Sequence, residues 1–115
     1  MNSSLAVYDR ALALEQAGGS AELADDLFTM LMQELPVSRA LLQDAFGIRD
    51  FTALLRHAHK LHGATLYTGV SALRAAVAEL ELHLKRAETE PIPRLFETVL
   101  GEIDRVLALD ETCLA

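Results

Sequence analysis

The chain has 115 residues, and its ten basic and seventeen acidic side chains give a formal net charge of −7 at pH 7. This length fits one domain that buries its own hydrophobic core, while the acidic charge argues against binding to nucleic acid or to an anionic membrane surface, since both would repel it. The single cysteine, Cys113, excludes a disulfide framework and a multi-cysteine zinc site.

Glycine, proline and capping residues divide the chain into helical segments. Gly18 and Gly19 end a first apolar stretch, and Ser20 is the expected N-cap of the second helix. Pro36 interrupts the second segment, which is therefore either one kinked helix or two short ones. The predicted helices cover residues 5–17, 20–46, 50–65, 69–87 and 91–109, with residues 110–115 as a frayed tail.

Apolar residues recur in every segment at intervals of three and four, which is typical of amphipathic helices. The fourth segment shows this most clearly, with Val70, Leu73, Val77, Leu80 and Leu84 forming one stripe. No segment shows the sustained alternation of a strand. The pattern predicts an all-α fold, an antiparallel up-down-up-down four-helix bundle with an additional short N-terminal helix packed across one end.

Three of the four histidines lie in the third predicted helix. On a helical wheel His59 falls at the edge of the apolar face, His57 and Lys60 point further toward solvent, and His62 lies nearer the core boundary. Gly63 is unusual because a glycine inside a helix costs about 1 kcal/mol relative to alanine. One turn beyond His59, the missing side chain would leave room for a nucleophilic imidazole to meet a reactive centre on another protein.

A histidine nucleophile also needs a free lone pair on Nε2 near neutral pH. Lys60 and a partly cationic His62 could stabilise the charge of a phosphoryl group added to the His59 ring.

The segment resembles the signature of histidine-containing phosphotransfer (Hpt) domains. Residues 58–64 read Ala-His-Lys-Leu-His-Gly-Ala and are followed by Gly69 and Leu73, as in that signature. The resemblance covers about residues 8–109 and is nearest to the C-terminal Hpt domains of hybrid sensor kinases of the BarA/GacS type.

The resemblance implies a role for each residue of the motif. His59 would be the phosphoacceptor, Lys60 and His62 would lie around the phosphoryl group, and Gly63 would leave access to it. Most of the family has lysine at the position of His62, so a permanently charged ammonium is replaced here by a group that titrates near pH 6.5. Arg56 and Lys60 together should make the surface near His59 less acidic than the rest of the protein surface.

Glu81, on the fourth helix, lies where many family members have a glutamine that contacts the active imidazole. A carboxylate there could accept a hydrogen bond from Nδ1–H of His59 and leave Nε2 free to attack. Alternatively, Glu81 belongs with Glu79, Glu88 and Glu90 to the solvated face of that helix and its exit loop.

The implied activity is that of a phosphoryl carrier without autonomous kinase activity. It would take a phosphoryl group from the aspartate of one receiver domain, in a hybrid sensor kinase, and pass it to the receiver aspartate of a response regulator. We expect no cofactor in this chain, which has no P-loop, glycine-rich nucleotide loop or convincing acidic cluster; the partner receiver would supply Mg²⁺, the aspartate and the lysine.

We expect a monomer that docks transiently, because the face around His59 must stay open. No run approaches the roughly 18 apolar residues of a membrane-spanning helix, and Met1–Ser4 lacks the features of a signal peptide. A cytoplasmic location without direct membrane contact follows, and the BarA/GacS likeness favours the C-terminal domain of a membrane-anchored kinase over a protein that circulates alone.

Other interpretations compete with phosphotransfer. The chain could be a non-catalytic helical-bundle scaffold in which His59 is an ordinary boundary residue. A metal site at His59 and His62 would lack a convincing third and fourth ligand. The remaining candidates are assigned structural roles: His57 and His83 as exposed helix positions, Met30, Met32 and Tyr67 as packing residues, and Cys113 as incidental.

Overall fold

The computed structural model describes the backbone of residues 5–114 and the side chains of residues 5–109. The interpretations of Met1–Ser4 and of Cys113 therefore lie outside the described residues. The described chain forms five α-helices and contains no strand: α1 Arg10–Gln16, α2 Ala21–Gly47, α3 Phe51–Thr65, α4 Ser71–Lys85 and α5 Ile92–Leu114.

Side-chain caps define where the first three helices begin. Asp9, Ser20 and Asp50 each accept a hydrogen bond from the backbone N–H three residues later, at 3.0–3.1 Å. Each cap satisfies one of the N–H groups that a helix leaves unpaired in its first turn. Because Asp9 is the cap, α1 begins at Arg10 rather than at residue 5, where the sequence placed its start.

The second helix continues through Pro36 as one element. Proline has no N–H to donate to the preceding turn. The buried Leu31, Leu35 and Leu42, on both sides of Pro36, pack into the core and hold the helix in place.

The last helix continues to Leu114, past the predicted end at residue 109 and into the expected frayed tail. After Gly101 the sequence contains no further glycine or proline that would end a helix.

Four helices close into a bundle around one core. α2 packs against α3 and α5, α4 packs against the same two helices, and the short α1 packs against α2. Leucine, isoleucine and valine side chains from all four long helices fill the interior without exposure, among them Leu35, Leu54, Leu80 and Ile103. This arrangement confirms the predicted all-α bundle with an additional N-terminal helix. None of the described helices is both long and apolar enough to span a membrane.

The N-terminal segment is tied to the turn between α3 and α4. Asp9 N–H donates to the carbonyl of Gly69 at 2.8 Å, Gly69 N–H donates to Gln16 Oε1 at 3.0 Å, and Ala72 N–H donates to the carbonyl of Ala6 at 3.0 Å. Gly69 has φ of +70°, and a Cβ there would lie 2.6 Å from the Asp9 carbonyl oxygen. Only glycine fits this close approach.

Two residues that the sequence assigned to packing lie on the surface instead. Met30 is 59% exposed and Tyr67 is 56% exposed, whereas Met32 is half-buried against the core as expected. The interpretation of Met30 and Tyr67 was wrong because they line the groove between α2 and α3 rather than the interior.

Candidate functional site

His59 stands on the outer flank of α3. The opposite side of that helix is buried in the bundle through Leu54, Ala58 and Leu61, while the His59 side chain is 72% exposed. His57 was wrongly assigned to an exposed position: it is half-buried, because it lies with Ala53 on the partly covered side of α3. Because its opposite face is packed into the bundle, α3 holds His59 at the surface in a fixed position.

A carboxylate from the next helix holds the His59 ring. Glu81, on α4, has a side chain only 5% exposed, and its Oε2 lies 2.5 Å from Nδ1 of His59. Its other oxygen, Oε1, lies 2.7 Å from Nδ1 of His62. The ammonium of Lys85 also reaches Oε2, at 3.1 Å. One buried carboxylate thus joins two imidazoles of α3 to a lysine of its own helix.

Burial acts to raise the pKa of Glu81, but hydrogen bonds from His59, His62 and Lys85 together outweigh it and lower that pKa to about 2. The carboxylate is therefore ionised at neutral pH and can only accept hydrogen bonds. Each imidazole must then carry its proton on Nδ1 in this contact. In a neutral ring, Nε2 is left with the lone pair.

Glu81 does not belong to the solvated acidic face, because it is buried between α3 and α4 and contacts both histidines. Its role toward His59 stays a prediction. Glu79, Glu88 and Glu90 are exposed, as expected of that face.

Basic side chains lie on two sides of His59. Arg56 and Lys85 line a shallow depression with it. On the other side, Lys60 and Gly63 border a groove of about 240 Å³ between α2 and α3, whose walls are largely apolar. The sequence-predicted residues of α3 are therefore found around one exposed imidazole.

No packing contact within the described chain requires a glycine at position 63. It is exposed, and a Cβ placed on it would meet nothing within 4 Å. A glycine here leaves the helix surface low one turn beyond His59, in space that the described residues do not use.

His83 was wrongly assigned to an exposed position. Its side chain is 23% exposed, with Nε2 3.3 Å from Glu79 Oε1 and Nδ1 2.7 Å from Glu88 Oε1, the second contact lacking hydrogen-bonding geometry. The ring is half-buried because it lines a pocket with apolar residues of α3 and α5, including Phe51 and Ile92. Within residues 5–109 no group of three or more His, Cys, Asp or Glu side chains could hold a metal ion.

Sequence reasoning missed Lys85. Its spacing of four residues from Glu81 on one helix was the available indication, because side chains at that spacing are neighbours on a helix surface. This spacing places Lys85 at the site only because Glu81 contacts His59, and that contact is not visible in the sequence.

Comparison with known proteins gives a consistent result. A model of the Hpt domain matches residues 26–109. The sensor histidine kinase GacS of Pseudomonas protegens is 39% identical over 93 residues, which cover 81% of this chain and 10% of that protein. The signal transduction histidine-protein kinase BarA of Escherichia coli K12 is 34% identical over 103 residues, covering 88% and 11%.

A solved structure has the same fold. The Hpt domain of a hybrid histidine kinase from Shewanella superposes with a TM-score of 0.86 at 32% identity, covering 94% of this chain and 93% of that one. The chain spans about a tenth of the length of the sensor kinases that it matches.

Proposed function

The chain belongs to the Hpt-domain family, and we propose that it carries a phosphoryl group on Nε2 of His59 between the aspartates of two receiver domains. The observation that carries the assignment to His59 is its contact with Glu81. A buried, ionised carboxylate accepts a hydrogen bond from Nδ1–H of an exposed imidazole, and this leaves the lone pair on Nε2 as the nucleophile at the surface.

The proposed transfer needs no reactant other than His59 and the phosphorylated receiver. The Nε2 lone pair of neutral His59 attacks the phosphorus of a receiver aspartyl phosphate, the N–P bond forms, and the acyl phosphate P–O bond breaks to release the aspartate as a carboxylate. The ring then bears a positive charge with its proton still on Nδ1, and Glu81 stabilises that charge. The reverse step delivers the phosphoryl group to the second receiver.

The basic residues around His59 fit the charge that arrives. A phosphoryl group brings anionic oxygens to a chain whose formal net charge is −7. Arg56 and Lys60 place cations on the two sides of His59 and offset that repulsion locally. His62 adds a third cation when it is protonated. In this scheme the receiver brings the Mg²⁺.

The docking surface follows from the same geometry. We assign the receiver to the face that contains His59, Gly63 and the groove between α2 and α3, in a transient complex with a monomeric domain in the cytoplasm. The specific receivers are those of a hybrid sensor kinase and a response regulator. The open space at Gly63 is the room that this approach requires.

Label transfer tests the proposal. The protein is incubated with a receiver carrying labelled aspartyl phosphate and Mg²⁺, and the label on the protein is followed. We expect acid-labile, base-stable label on the wild type and on His57→Gln, a matched change on the same helix, and none on His59→Gln. A scaffold domain would take no label from any receiver, and label retained by His59→Gln would assign the chemistry to another residue.

A further inference from the structure

Lys85 shares an oxygen with the proposed nucleophile. Its Nζ lies 3.1 Å from Glu81 Oε2, and the same oxygen lies 2.5 Å from Nδ1 of His59. The other oxygen of Glu81 is occupied by His62 at 2.7 Å. The charge of one carboxylate is therefore divided among three donors, and Lys85 is the only one of the three that stays cationic throughout the neutral range.

A carboxylate beside an imidazole creates a difficulty for nucleophilic chemistry. An anion in contact with a histidine favours the protonated ring, and a protonated ring has no lone pair on Nε2. Glu81 must therefore orient His59 without holding it as an imidazolium.

A fixed cation on the same oxygen relieves this conflict. Because Lys85 and His59 bind one oxygen, their charged centres are held within about 6 Å of each other, where like charges repel appreciably even near solvent. The repulsion disfavours a second positive charge on His59 but leaves its Nδ1–H hydrogen bond in place.

The other charged groups around His59 come from three helices, α3, α4 and α2. Arg56 lines the depression beside it on α3, Lys60 lies on the opposite flank, and His62 is linked to it through Glu81. From α4 come Glu81 and Lys85. Across the groove, α2 contributes Glu34, on the side of Lys60.

We propose that Lys85 is a positioning residue for phosphotransfer, which acts through Oε2 of Glu81 and opposes protonation of the His59 ring. Its effect on transfer rests on the proposed function of His59. Its effect on the titration of the ring does not, because that is measured without any receiver.

The variant Lys85→Met tests both effects. By NMR of the His59 ring, the titration midpoint moves to higher pH by about 0.5 unit relative to wild type. The rate of phosphoryl acceptance then falls about threefold at pH 6 and is unchanged at pH 8.5, because only the neutral fraction of His59 is altered.

Two further variants serve as controls. Lys85→Arg restores the wild-type midpoint and rate, because a guanidinium keeps the charge at Glu81. Arg86→Met, which removes a neighbouring cation with no ion pair among the described residues, leaves both unchanged. Circular dichroism of Lys85→Met checks the fold, which should be intact because the side chain is 57% exposed; Lys85→Gln provides a second variant.

Two results would overturn the proposal. One is an unmoved His59 midpoint in Lys85→Met and Lys85→Gln. The other is a loss of rate equal at every pH, which would mean that Lys85 acts on the phosphoryl group directly. If wild-type protein accepts no phosphoryl group, the proposed function fails, while the NMR titration still decides the role of Lys85.

Discussion

At the scale of single residues, the distinctive feature is a carboxylate shared by two histidines. Glu81 contacts Nδ1 of His59 through one oxygen and Nδ1 of His62 through the other. His62 is thus linked to His59, the proposed nucleophile, through the same carboxylate. The cation that it supplies exists only when its ring is protonated, whereas a lysine at that position would be charged at every physiological pH.

This difference predicts a change of pH dependence in His62→Lys. In wild type, loss of the His62 charge as the pH rises should lower the rate of phosphoryl acceptance, and the variant, whose lysine keeps its charge, should lack that decline. The measurement is the rate of label uptake from a phosphorylated receiver as a function of pH.

His57→Lys provides the matched control, since it makes the same replacement on the same helix away from Glu81. Its profile should follow wild type. A His62→Lys profile as steep as that of wild type would mean that His62 is not the group responsible.

At the scale of helices, the site depends on how α3 is exposed. The helix buries one face in the bundle, and Gly63 keeps the surface low one turn beyond His59. A glycine inside a helix is destabilising, and the described residues give it no steric reason here. The cost to folding therefore points to a requirement from outside the chain.

Gly63 variants separate folding from docking. Gly63→Ala should raise the free energy of unfolding by about 0.5–1 kcal/mol, because alanine is the better helix former and meets no obstacle. Gly63→Leu should keep the fold but lower the rate of transfer from a receiver by about tenfold or more, because the side chain fills the approach to His59. Urea unfolding and label uptake measure the two effects.

Gly101 in α5 offers a control for the helix effect. It is also exposed, and a Cβ there meets nothing within 4 Å. Gly101→Ala should give a similar gain in stability with no change in transfer. Full transfer activity in Gly63→Leu would contradict the docking role of this surface.

The helical layout and the histidine motif on α3 were accessible from the sequence because both are local features. Apolar periodicity, the caps and the short motif around His59 each lie within a few residues of the chain. The role of Glu81 was accessible only as one of two alternatives, because its burial depends on how α3 and α4 pack. Lys85, the exposure of Met30 and the half-burial of His83 were missed for the same reason: the register between helices decides which side chains meet.

At the scale of the whole molecule, charge is unevenly distributed. The chain is acidic overall, yet Arg56, Lys60 and Lys85 are exposed around His59. The bundle also places its orienting carboxylate between two helices, so the site and the stability of the fold share Glu81. Acid should therefore weaken the α3–α4 contact as Glu81 becomes protonated.

The lowered pKa of Glu81 sets the pH range in which the protein loses stability. The pKa of Glu81 falls from an ordinary 4.5 to about 2 in the folded protein. The stability that it contributes is complete above about pH 4.5 and is lost as the pH falls through about 2. The loss is of order 3 kcal/mol.

Urea unfolding of Glu81→Gln tests this directly. The free energy of unfolding of wild type should decline between pH 5.5 and 2.5, and Glu81→Gln should lack the part of this decline that Glu81 causes. The free energy of unfolding of the exposed control Glu79→Gln should decline as in wild type. An equally steep decline in Glu81→Gln would show that other carboxylates account for the acid sensitivity.

The most direct test of the account is to locate the phosphorus atom. After transfer from a phosphorylated receiver, ³¹P NMR and ¹H–¹⁵N correlation of the imidazoles identify the ring and the nitrogen that carry it. The account predicts a single phosphoramidate on Nε2 of His59, with the proton retained on Nδ1. A phosphoryl group on another side chain, or on Nδ1 of His59 where Glu81 binds, would contradict it.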